Sequence, residues 1–208
     1  MSLNLGKIHY WLYDKILWFE SLESEIINKA MEDKLPVQEW LKYMDVNFGE
    51  PTGGEALEAI IDTSNIHGWL QERIAVVEAR QSYLITKILE NNADYKTKIK
   101  DIFIAQGKQT ALEYNEEYLT AEDVYNTIND YILEGMPCDR VNEVLESSGD
   151  KIIWKRTTCL HEKYWKSVGG DIAVFYELRD AWIKSFVNNL RGKFKYEKVS
   201  QDTQMICG

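Results

Sequence analysis

The 208-residue sequence predicts an α+β protein that is mostly helical: duplicated N-terminal helical hairpins, then a long C-terminal helix on a small antiparallel sheet. Three observations predict it. Residues 8–31 recur as residues 66–89 without a gap. Apolar side chains recur at helical spacing in both copies, about every 3.6 residues. After Gly149 the pattern changes to β-branched and aromatic runs, the chemistry of strands.

The duplication is read from identities at an offset of 58. Ile8/Ile66, His9/His67, Trp11/Trp69, Leu12/Leu70, Ile16/Ile74, Glu20/Glu78, Ser24/Ser82, Ile27/Ile85 and Lys29/Lys87 match, and the offset persists through Gly49/Gly107, Thr52/Thr110 and Glu55/Glu113. The repeat units are about 8–55 and 66–113. They divide the chain into a region 1–115 of hairpins and a region 116–208 of helices and a strand-helix-strand unit, which together can form one compact domain.

Residues 7–32 and 65–91 read as long amphipathic helices, each with an apolar stripe such as Ile8, Trp11, Leu12, Ile16 and Phe19. Asp33-Lys34-Leu35-Pro36 and Asn91-Asn92-Ala93-Asp94 break them, and shorter helices follow at about 36–48 and 94–108. Gly49 and Gly107 are read as their caps. A loop at 51–54 leads to a short helix over about 54–63. Thr120 caps the next helix with Asp123 three residues on. Residues 138–148 read as a further helix, 151–159 and 193–199 as strands, 171–190 as a long helix, and 203–207 as a third strand.

Composition excludes several classes. A formal charge of −10 disfavours a nucleic-acid partner, whose phosphates need clustered Lys and Arg. No apolar run approaches the ~20 residues of a membrane span. The N-terminus MSLNLGK lacks the hydrophobic core of a secretion signal. Three cysteines at scattered spacing form no disulfide framework, so a reducing cytoplasm is the expected location. No Gly-rich phosphate loop follows any strand, and Gly169-Gly170 is at most a weak anion signal.

The repeat places His9 and His67 at equivalent points, with Glu20 and Glu78 on the same flanks about three turns on. His161 opens a third helical stretch. Three histidines from three helices would suit zinc or iron with an open coordination position, where a bound water could ionise. The competing reading is that these are half-buried packing residues. His161-Glu162-Lys163-Tyr164-Trp165 has Trp where a zinc-protease helix carries its second His.

Cys159 closes one strand and Cys207 lies in another. On IIWKRTTC (152–159), ELRD (177–180) and KFKYEKVSQDTQMIC (193–207), the C-terminal half resembles the L-2-amino-thiazoline-4-carboxylic acid hydrolase-like family. It is also similar to the small-molecule-binding domain of the 4-vinyl reductase type. The resemblance implies that Cys159, Asp180 and Cys207 line a ligand site. The implied activity is ring-opening hydrolysis of a small amino-thiazoline acid, or capture of a small apolar molecule. The chain departs from that pattern at Phe175-Tyr176, where a further cysteine is expected.

These readings lead to a small-molecule-binding protein with hydrolase-like chemistry in a cleft between its two parts. Cys159 would be the nucleophile with its thiolate supported by His161; Asp180 would be the further polar group, and Trp165, Tyr176 and Cys207 the ligand walls. One alternative is the metal site of His9, His67 and His161. Another is a non-catalytic homo-oligomer in which the Val199–Cys207 strand pairs with a neighbouring subunit.

Overall fold

The computed structural model describes residues 5–114 and 120–208. Among these, the helical elements are α1 (Lys7–Glu32), α2 (Val37–Phe48), α3 (Leu57–Ile60), α4 (Ile66–Asn91), α5 (Lys96–Leu112), α6 (Ala121–Asn129), α7 (Glu162–Ser167) and α8 (Ile172–Asn189). The strands are β1 (Asn142–Ser147), β2 (Lys151–Arg156), β3 (Lys195–Lys198) and β4 (Thr203–Cys207). The chain is thus α+β and mostly helical. The division expected near residue 115 and the first four residues of the N-terminal reading fall outside the described residues.

The duplicated helices α1 and α4 lie side by side, parallel and in register. The His9 and His67 rings stand 5.7 Å apart at one end. Toward the other, Arg80 of α4 bonds Glu23 of α1 through Nε at 2.9 Å and Nη2 at 2.8 Å. The second helices cross over: α2 packs on α4, and α5 packs on α1. The two copies thus pack on each other, and α5 packs most extensively on α8. Asn65 caps α4 by accepting the Gly68 N–H at 3.1 Å. Thr120 caps α6 as its spacing predicts, with the Asp123 N–H donating to its Oγ1 at 3.1 Å.

Gly107 does not cap α5. It lies inside that helix, where α5 and α8 approach so closely that an added Cβ would meet the Trp182 carbonyl oxygen at 2.6 Å. Ala normally gains up to about 1 kcal/mol over Gly within a helix. At this position Gly107→Ala should instead destabilise by about 1–3 kcal/mol, the cost of overpacking against backbone that cannot step aside. Urea unfolding midpoints check this; a more stable variant would mean the two helices part easily.

Residues 138–148 are not a helix. A short 3-10 turn over Pro137–Asp139 is followed by β1, an edge strand exposed along most of its length, with a bulge between Val144 and Glu146. The polar and helix-favouring letters of Asn142-Glu143-Val144-Leu145-Glu146-Ser147 give no alternation, because neither face of this strand is buried. The sheet order is β1-β2-β4-β3, antiparallel throughout. Ile152, Trp154, Tyr196 and Ile206 point into the core, which α6 and α8 cover. Strand β4 lies between β2 and β3 with both of its edges paired. The ground for pairing the tail strand with another subunit therefore falls away; β1 and β3 are the strands with a free edge. One contiguous apolar cluster runs from Leu12 and Ile16 in α1 to Ile206 in β4.

Candidate functional site

The three histidines separate into a pair and a single residue. His9 and His67 sit near the N-terminal ends of α1 and α4, and His9 Nδ1 accepts the Gly6 N–H at 3.0 Å. His161 precedes α7, which packs on α4 and carries the ring to Glu78. Glu78 lies eleven residues beyond His67 on α4, about 16 Å along the axis. Both His161 ring nitrogens are already engaged, so one ion cannot gather all three imidazoles. Among the described residues, no group of three or more His, Cys, Asp or Glu is placed to hold a metal ion.

His161 instead joins two acids in the interior. Nδ1 lies 2.7 Å from Glu78 Oε1 and Nε2 lies 3.1 Å from Glu134 Oε2. The ring is 1% exposed and packs on Phe175, with ring centroids 4.3 Å apart. Burial opposes a charged imidazole, but the flanking carboxylates of Glu78 and Glu134 outweigh it and raise the pKa to about 9. Burial likewise opposes charge on Glu134, yet its ion pair with Arg179 and its contact with His161 hold it at about 2. At neutral pH His161 is an imidazolium clamped by carboxylates, so it cannot act as a general base.

Cys159 and His161 consequently form no dyad. The half-buried Cys159 thiol accepts a hydrogen bond from the Tyr176 hydroxyl at 3.1 Å. Arg156 lies over the Tyr176 ring at 3.6 Å and is ion-paired to Asp202. These residues border a 440 Å³ hollow. Asp180 faces elsewhere: it accepts from Tyr196 at 2.8 Å and Lys198 at 2.5 Å and borders an open groove. Trp165 is 1% exposed and belongs to the core rather than to a cavity wall. Cys207 pairs with Lys151 at the far end of β2 from the segment leading to Cys159, about 17 Å along the strand. Of the residues proposed as one site, Cys159 and Tyr176 meet, with the His161 ring 6.1 Å from that of Tyr176, while Asp180, Trp165 and Cys207 occupy separate surroundings.

The Glu78–His161–Glu134 cluster borders two hollows on either side of the turn at Gly135, whose φ of 68° is the left-handed conformation that glycine adopts readily. One, of 240 Å³, is bordered by Glu78, Lys163 and Tyr164. The other, of 290 Å³, lies between α1 and the segment from α6 to β1, bordered by Trp11, Lys15, Tyr125, Glu134, Arg140 and Asn142 among others.

In this second hollow Lys15 is only 4% exposed, and its Nζ sits 3.4 Å from the centroid of the Trp11 ring. Trp11 is fixed by its indole N–H, which donates to Asp130 Oδ1 at 2.8 Å. Among the described residues no carboxylate comes within ion-pair distance of the Lys15 ammonium. Burial drives its pKa down to about 7, against Asp130 and Glu134, which favour the charged form. Asn142 Oδ1 is also buried without a partner. Arg140, exposed at the rim, has φ 47°, uncommon for a residue with a long side chain.

Lys15 had a sequence signal. On the α1 wheel it falls between Trp11 and Phe19, inside the apolar stripe, where an ammonium has no reason to be unless it is used. Glu134 and Asn142 had none, since both lie in irregular or edge-strand sequence. Comparisons with family models, with curated proteins and with solved structures return no match for this chain.

Proposed function

We propose that the protein binds a small polar molecule in the hollow between α1 and the α6–β1 segment. The observation that carries this reading is the buried Lys15, which borders a cavity and, among the described residues, has no carboxylate within ion-pair distance. Burying an unpaired charge costs several kcal/mol, and an unpartnered amide oxygen about 1–3 kcal/mol. A ligand that offers an acceptor to Lys15 and a donor to Asn142 offsets both. The volume of 290 Å³ suits a ligand displacing about ten waters. The activity we propose is binding. Thiol hydrolysis has less support, because Cys159, His161 and Asp180 do not converge.

We also read the protein as cytoplasmic, on the ground that all three cysteines are free thiols. Among the described residues no helix is long and apolar enough to cross a membrane.

Saturation-transfer NMR with pyruvate, L-lactate and L-alanine tests the proposal on one carbon skeleton with three functional groups. At least one should show transfer to the wild-type protein and lose it by tenfold or more in Lys15→Met. Equal signals in both proteins, or none from any probe, would overturn the reading.

A further inference from the structure

We propose that Lys15 captures a small 2-oxo acid as a Schiff base, with Nζ meeting the carbonyl carbon and Arg140 meeting the carboxylate. This deepens the binding reading above and rests on it.

The repeat isolates what is special about Lys15. Its equivalent in the second copy is Arg73, which faces Trp69 as Lys15 faces Trp11, with the guanidinium carbon 5.9 Å from the ring centroid. Arg73 Nη1 donates to the Glu50 carbonyl at 3.2 Å and Nη2 lies 3.5 Å from Glu72, so that cation has partners in the fold, although its Nε is buried without one. The first copy keeps the Trp-and-cation pair and replaces the guanidinium with a primary amine. Among the described residues it withholds any carboxylate within ion-pair range, and Lys15 borders a hollow. A guanidinium cannot form an imine; a lysine can.

Three features suit the chemistry. A nucleophilic amine must be neutral for part of the time, and the low-dielectric wall around Lys15 supplies that, with a pKa of about 7. The product iminium carries the same positive charge as the ammonium, so the Trp11 face, Asp130 and Glu134 stabilise it in turn. Among the described residues Arg140 has no ion-pair partner, which leaves a cation at the rim for a carboxylate.

The step balances without a co-reactant. The Lys15 lone pair forms the N–C bond while the carbonyl π pair moves to oxygen, and a proton passes from nitrogen to that oxygen. The C–O bond then breaks as the nitrogen lone pair forms the C=N bond. The hydroxyl leaves as water with one further proton drawn from solvent.

The test incubates the full chain with pyruvate and sodium cyanoborohydride at pH 7 and maps the reduced adduct by peptide mass spectrometry. The neutral-amine fraction at Lys15 exceeds that of an ordinary lysine near 10.4 by about a thousandfold. The expected result is one adduct per chain, on Lys15, absent in Lys15→Arg. Arg140→Gln should raise the pyruvate concentration needed by tenfold or more while leaving capture of acetone, which has no carboxylate, unchanged. Adducts scattered over surface lysines with Lys15 unmodified would overturn the proposal. If pyruvate gives saturation transfer and Lys15 stays unmodified, the covalent step fails alone. If pyruvate gives neither signal, the imine fails, and the binding reading is then decided by lactate and alanine.

Discussion

Replacing Arg80 with methionine should cost about 3–5 kcal/mol of folding stability, the range for removing one partner of a buried ion pair. Arg80 is 2% exposed and holds four acceptor groups together: both Glu23 carboxylate oxygens, Asp45 Oδ1 at 2.7 Å and the Gly49 carbonyl at 2.8 Å. Without it, Glu23 is a carboxylate at 4% exposure with no cation, and burial already raises its pKa against Arg80's pull. Denaturant unfolding of the single variant and of the Arg80→Met, Glu23→Met double variant measures the effect. The double variant should recover most of the loss, since two apolar side chains of similar volume leave no orphaned charge. A single-variant loss under 1 kcal/mol would show that water reaches Glu23 freely.

The second large effect is a pH response hidden in the wild-type protein. His161 titrates near 6.5 unfolded and at about 9 in the fold, so the folded state holds an extra proton between those values. Its contribution is whole below about pH 6.5 and is lost as pH rises through about 9, a change of about 3 kcal/mol. Lys15 has the opposite sign: it titrates near 10.4 unfolded and at about 7 folded, so stability rises as pH climbs between them. Between pH 7 and 9 the two slopes oppose each other, and wild-type stability should be nearly level. Lys15→Met removes the rising component. Its urea midpoint should then fall from pH 6.5 to pH 9 by the equivalent of about 3 kcal/mol. A level profile in that variant would mean that His161 is not charged inside the fold.

Most of the scaffold was legible in the sequence. The periodicity of α1 and α4, the Thr120 cap, the strand alternation near Tyr196 and the offset-58 repeat are local patterns, and local patterns survive folding. Strand β1 was not legible, because an edge strand with no buried face leaves no periodic mark. The site was hardest, for a physical reason. Lys15, Glu23 and Arg80 all fall on apolar stripes of their helical wheels, and a stripe is usually recognised by its apolar members alone. The charges that interrupt it carried the information. Glu78 and His161, 83 positions apart, are neighbours only through tertiary packing.

The crosswise docking of α2 on α4 and α5 on α1 has a consequence for how this protein arose. A solitary unit of the size of residues 8–55 would leave bare the apolar flank that its partner copy covers here. Joining two such units in one polypeptide makes the encounter that covers it tethered instead of concentration-dependent. Two tethered halves need not stay identical, and Lys15 and Arg73 stand at equivalent positions of the repeat.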